Sequence, residues 1–65
     1  MKILLNGEAF ATDAKTLDEL CARLGFADAK IATAENGNVV AAVARSATQL
    51  APADEVEIVA PKQGG

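Results

Sequence analysis

The chain contains no histidine, tryptophan or tyrosine, and only one cysteine and two prolines. Without imidazole, histidine acid–base catalysis and histidine-ligated metal sites are excluded. A single cysteine can close neither an intrachain disulfide nor a thiolate cluster. Basic residues are outnumbered, six Lys and Arg against nine Asp and Glu, for a net charge of −3. Neither phosphate neutralisation nor base stacking is served by such a composition, so nucleic acid is not an expected partner. Long apolar runs are missing as well. The opening Met1-Lys2-Ile3-Leu4-Leu5 is too short for a signal peptide or a membrane span, which leaves no membrane role and a cytoplasmic location as the expectation.

What is present is enough for one small domain. The 65 residues lie near the lower limit for independent folding. Hydrophobic residues make up 51% of the chain, yet 15 of those 33 are alanine. The core must therefore come from Ile3, Leu5, Phe10, Leu17, Leu20, Leu24, Phe26, Ile31, Val39 or Val40, Leu50, Val56 and Ile58. A core of this size supplies about 3–5 kcal/mol of net stability and leaves little room for a deep substrate cavity.

Met1 to Leu5 reads as a strand, and Asn6-Gly7 is a strong hairpin signal, because both residues tolerate the positive φ of a type I′ turn. A second strand follows from Glu8 to about Thr12, with Phe10 facing the core. Thr16-Leu17-Asp18-Glu19 has the form of a capping box, the threonine hydroxyl accepting from the Glu19 amide and the glutamate reaching back to the Thr16 amide. Leu17, Leu20, Cys21 and Leu24 recur at the spacing of one helical face, which predicts a helix over Leu17 to Leu24. Gly25 suits the left-handed residue that ends it, with Phe26 packing back over the last turn. Ile31 to Glu35 reads as a strand, Asn36-Gly37 as a second turn and Asn38 to Val40 as a short strand. Ala41 to Leu50 is open, its alanines favouring helix and Val43, Ser46 and Thr48 diluting that preference. Pro52-Ala53-Asp54 is a turn, and Glu55 to Ala60 alternates as a half-buried strand does. Pro61, unable to donate to a ladder, marks the point where the chain leaves the sheet. One helix laid across one face of a small sheet of four or five strands gives an α+β class, with a domain over residues 1–60 and a flexible tail over 61–65.

The tail ends in Gly64-Gly65. Two terminal glycines arise by chance in about 1 chain in 200, so the pair alone can be a frayed terminus without function. Cys21, the other candidate for chemistry, falls on the apolar helix face, where cysteine behaves as a small hydrophobe. Asp54, Glu55 and Glu57 form either an acidic docking patch or a solvated strand face. Strand alternation sets Leu4 and Val59 opposite Ile3, Leu5 and Ile58. On a sheet with one covered face those two residues are candidates for an apolar docking patch, or simply exposed side chains.

Hairpin, capped helix, short strands, final strand and terminal Gly-Gly together resemble the ubiquitin-like β-grasp sulfur carriers. The stretches Met1-Lys2-Ile3-Leu4-Leu5-Asn6-Gly7-Glu8, Thr16-Leu17-Asp18-Glu19-Leu20 and Val56-Glu57-Ile58-Val59 through Gly64-Gly65 are most similar to the ThiS family of thiamine biosynthesis. Two stretches depart from the family pattern. Val40-Ala41-Ala42 stands where the family often has Val-Pro-Arg, and Pro52-Ala53-Asp54 where it usually turns through Asp-Gly-Asp. A C-terminal carboxylate is an anion at neutral pH and a poor electrophile, so it must be activated before it can react. The resemblance implies that an E1-like adenylating enzyme of the ThiF type activates Gly65 with ATP and magnesium. Sulfur from a donor protein then displaces AMP, and the Gly65 thiocarboxylate serves a thiazole synthase of the ThiG type. Gly64 provides access to a narrow partner channel. The chain itself binds no cofactor and catalyses nothing. Three alternatives remain open: a carrier for the molybdopterin dithiolene, a ubiquitin-like protein modifier, and a passive β-grasp binding module.

Overall fold

A computed structural model describes residues 1–26 and 30–60 of the chain. Five strands and one α-helix follow in the order β1 (Lys2–Leu5), β2 (Glu8–Ala11), α1 (Leu17–Arg23), β3 (Ala32–Glu35), β4 (Asn38–Val40) and β5 (Glu55–Val59), with a 3-10 helix over Ala42–Ala47. The strands form one sheet in the order β2-β1-β5-β3-β4. β1 and β5 run parallel at its centre, and the other neighbours are antiparallel. One helix packed across one face of this mixed sheet is the β-grasp arrangement that the sequence predicts.

Both Asn-Gly pairs turn as expected, with φ of 51° and 85° at Asn6 and Gly7 and of 50° and 83° at Asn36 and Gly37. At the start of α1 the Thr16 hydroxyl accepts from the Glu19 amide at 3.1 Å. The second arm of the capping box differs from expectation: Glu19 Oε1 accepts from the Lys15 amide at 2.9 Å, one residue earlier than Thr16. The segment before the helix is held in an extended conformation by pairing with residues 48–50, through Leu17 N–H to Thr48 O, Leu50 N–H to Lys15 O and a bridge between Thr16 and Gln49. At the far end Phe26 N–H donates to Cys21 O and Gly25 N–H to Ala22 O, with Gly25 at φ 89°. This is the left-handed helix stop predicted for Gly25, and Leu24 is the cap rather than a helical residue.

The ambiguous stretch from Ala41 to Leu50 resolves into the 3-10 helix followed by an extended segment. Residues 48–50 must stay extended to pair with 15–17, which leaves six residues, too few for a stable isolated α-helix. Arg45 ties this helix to β3, donating from Nε to Thr33 Oγ1 and from Nη2 to Ile31 O. Thr33 is the buried polar residue of the core, and its own hydroxyl donates to Val40 O at 2.7 Å.

Ile3, Ala14, Leu17, Leu20, Cys21, Val56 and Ile58 are buried together, with Leu5, Phe10, Leu24, Phe26, Ile31, Val40 and Leu50 packed around them. Val40 therefore takes the core position left open between it and Val39, which is 87% exposed. Ala14 is a core member that its small side chain had not revealed. The strand predicted from Ile31 begins at Ala32, and Ile31 packs against the core from outside it.

Candidate functional site

The tail on which the expected chemistry rests, Pro61 to Gly65 with Gly64 and Gly65 at its end, lies outside the described residues. What the structure describes is the scaffold that delivers it. β5 is the central strand of the sheet, flanked by β1 and β3, and it ends at Val59. Its residues alternate as predicted, Val56 and Ile58 buried against α1 and Glu55, Glu57 and Val59 exposed.

Helix α1 covers one face of the sheet, and among the described residues no element covers the other. Cross-strand register assigns Leu4, Ala9 and Glu55 to the open face near the middle of β1. Farther along, Glu57 stands opposite Ala34, Val59 opposite Ala32, and Ala34 opposite Val39. Leu4 is 38% exposed and Val59 58% exposed, so both predicted docking residues do present apolar surface on one face. They are not side by side. Val59 is four residues beyond Glu55, the partner of Leu4 in the parallel ladder, a distance of about 13 Å along the strand. Glu55 and Glu57 lie between them. The open face is thus a shallow apolar surface of alanine, valine and leucine with two carboxylates along its middle. Val39 is a member that the reading of Leu4 and Val59 did not include; alternation along β4 from a partly buried Val40 was the signal that could have found it.

Asp54 does not join Glu55 and Glu57 in an acidic patch. Its carboxylate closes the turn before β5, accepting from Ala51 N–H at 2.9 Å and from Asn36 Nδ2 at 3.2 Å. The carboxyl group of Glu35 lies against it. Their shared hydrogen bond, with some desolvation and the repulsion of the Asp54 charge, pushes the Glu35 pKa up to about 7. The same bond, and the one from Ala51, holds Asp54 below its ordinary value. Asn36 joins the two segments again, its Oδ1 accepting from Glu55 N–H and its backbone N–H donating to Glu55 O.

Cys21 is 3% exposed within the core. Burial raises its thiol pKa, opposed in part by Arg45, so the thiol stays protonated at neutral pH. The structural role expected from its helix position is the one it occupies. An open groove of about 340 Å³ lies beside the start of α1, lined by Met1, Asp13, Ala14, Lys15, Gln49 and Leu50. It is a surface feature rather than a cavity in the core. Its Asp13 carboxylate pairs with Arg23, and the Met1 ammonium donates to Thr12 O. Among the described residues no group of three or more Cys, Asp or Glu side chains is placed to hold a metal ion, and no helix is long and apolar enough to cross a membrane.

The comparisons with known proteins agree with this frame. The crystal structure of thiamine biosynthesis protein ThiS from Geobacter metallireducens superposes with a TM-score of 0.79 at 32% sequence identity, covering 100% of both chains. No curated protein sequence matches the chain significantly. The model of the ThiS family matches residues 3–65, which takes in β1 from Ile3 onward, the other four strands, α1 and the Gly64-Gly65 end. On that match, and on a sheet order and helix placement that carry it structurally, the chain belongs to the ThiS family.

Proposed function

We propose that this chain is a sulfur carrier of thiamine biosynthesis, with the Gly65 carboxylate as the carrying group. The observation that supports this best is the family match through residue 65, together with full-length likeness to a thiamine biosynthesis protein. In the first step a Gly65 carboxylate oxygen attacks the α-phosphorus of ATP on an E1-like enzyme, and pyrophosphate leaves. Sulfide-level sulfur from a donor protein then attacks the acyl carbon and AMP departs, leaving a thiocarboxylate. That soft nucleophile donates its sulfur to the thiazole ring on a thiazole synthase. ATP and magnesium belong to the activating partner, and all of these steps take place in the cytoplasm.

The division of labour follows from the scaffold. The chain supplies a reactive terminus, with no imidazole and with its one thiol protonated and buried. Gly64 and Gly65 lack side chains that would obstruct a narrow partner site. The open face bearing Leu4 and Val59 is where the partners dock, its apolar surface giving affinity and its carboxylates orientation.

The test is intact mass of the chain after incubation with ATP, a sulfur source and the E1-like enzyme, beside a control lacking Gly65. Exchange of oxygen for sulfur nearly matches the mass of one oxidation at Met1 or Cys21. The shifted species must therefore also be captured by a thiol-selective alkylator and located on the C-terminal peptide. A Gly65 thiocarboxylate is the expected product. An unchanged chain, with an enzyme active on another carrier, overturns the proposal.

A further inference from the structure

The parallel ladder between β1 and β5 outlasts the β1 backbone. Leu4 N–H donates to Asp54 O and Asn6 N–H donates to Val56 O at 2.8 Å, after which the chain turns away through Asn6-Gly7. The next pair of β5 groups on that side, the N–H and C=O of Ile58, would lose their partners there. Instead the Asn6 carboxamide takes both. Its Oδ1 accepts from Ile58 N–H at 2.9 Å and its Nδ2 donates to Ile58 O at 3.2 Å. A side chain at the tip of a hairpin thus acts as one further residue of β1, 52 positions away in sequence. On its other edge this end of β5 pairs with β3, Thr33 opposite Ile58 and Ala32 opposite Val59.

We propose that Asn6 is a positioning residue. By completing the β1 edge at Ile58 it holds the last residues of β5 in the centre of the sheet and so sets where the segment from residue 61 onward departs. The consequence for activation rests on the carrier reading above; the clamp itself does not. Ile58 is followed by only Val59 and Ala60 before Pro61, so a loosened Ile58 widens the range of directions from which Gly65 reaches a partner's site. Loss of the clamp then lowers the fraction of bound chains in reactive alignment without altering the docking face, and reduces kcat rather than raising KM.

The turn and the clamp are separable by mutation. Asn6→Gly keeps the positive φ of the turn, for which glycine is well suited, and removes the carboxamide. Asn6→Asp keeps an acceptor for Ile58 N–H but loses the donor to Ile58 O. The experiment is amide hydrogen exchange by NMR on the full chain, paired with pyrophosphate release by the E1-like enzyme. With Asn6→Gly, exchange at Ile58 accelerates by about tenfold or more while Ile3 and Leu20 amides keep their protection. In the same variant kcat for adenylation falls by about tenfold with KM nearly unchanged, and Asn6→Asp falls between it and the wild type. Unchanged exchange at Ile58, equal loss of protection at Ile3 and Leu20, or a loosened Ile58 with unaltered kcat each overturns the proposal. A wild-type chain that is not adenylated at all refutes the carrier reading instead, and the exchange at Ile58 and Val59 then decides the clamp by itself.

Discussion

Ala53 adopts φ 70°, in the left-handed region where its Cβ crowds the following carbonyl. The position lies in the turn before β5, at the centre of Pro52-Ala53-Asp54, where the family pattern carries glycine. Ala53 N–H donates to Lys2 O and Asp54 N–H to Ala51 O, so the turn is fixed from two sides and the strain cannot relax locally. The other departure from the pattern behaves the same way. Ala41 stands in the place of a proline and takes φ −67° and ψ 154°, the backbone that proline would impose. At both sites the backbone is one that the pattern's residue suits better than alanine does. Ala53→Gly removes about 1–2 kcal/mol of left-handed strain and adds about 0.4–1 kcal/mol of unfolded-state entropy. A net gain of about 0–1.6 kcal/mol follows, seen as a higher urea midpoint at constant m. A lower midpoint would show that Ala53 carries no strain.

Helix α1 is the element whose ends the sequence specified best, because each signal is local. Thr16 and Glu19 are three residues apart, and Gly25 follows the last turn directly. Thr16→Ala removes the hydroxyl that accepts from Glu19 N–H and lowers stability by about 1 kcal/mol, whereas Thr16→Ser restores most of it. Thermal denaturation of the three proteins checks this, and equal midpoints would mean that water caps the helix equally well. The two Asn-Gly hairpins and the alternation of β5 were legible for the same reason. The stretch from Ala41 to Leu50 was not, because pairing of Thr48 and Leu50 with Leu17 and Lys15 decides its conformation. Thr33 was likewise invisible as a core residue, since its burial depends on Arg45 from the 3-10 helix. Alternation revealed the open face of Leu4 and Val59. It could not reveal the Asn6 clamp on Ile58, or the meeting of Glu35 with Asp54, because those contacts join residues distant in sequence.

On the scale of the whole molecule, stability depends on pH through the end of the sheet where β5 begins. There Glu35, Asn36, Asp54 and the start of β5 are joined in one network, with Glu55 the next charged side chain on the open face. Glu35 titrates near 7 when folded against an ordinary value of 4.5, because its protonated carboxyl donates to the Asp54 carboxylate. A folded pKa above the unfolded one means that the native state binds the proton more tightly. The stabilisation is therefore complete below about pH 4.5 and is lost as pH rises through about 7. Asp54 has the opposite sign. Its depressed value gives stability that is present above its ordinary value of 3.8 and is lost as pH falls through the lowered one. The pair is thus most stabilising in mildly acid solution, where Glu35 is protonated and Asp54 is charged, and above pH 7 the two carboxylates repel. Raising the pH from about 5 to about 8 at low salt is expected to lower the melting temperature steadily, with an inflection near the Glu35 value. Glu35→Gln separates this pair from the remaining acidic groups, since its amide donates to Asp54 at every pH. That variant matches the wild type at pH 5, exceeds it at pH 8 and has a flatter profile between. Parallel profiles for the two proteins would place the pH dependence elsewhere among the nine acidic residues.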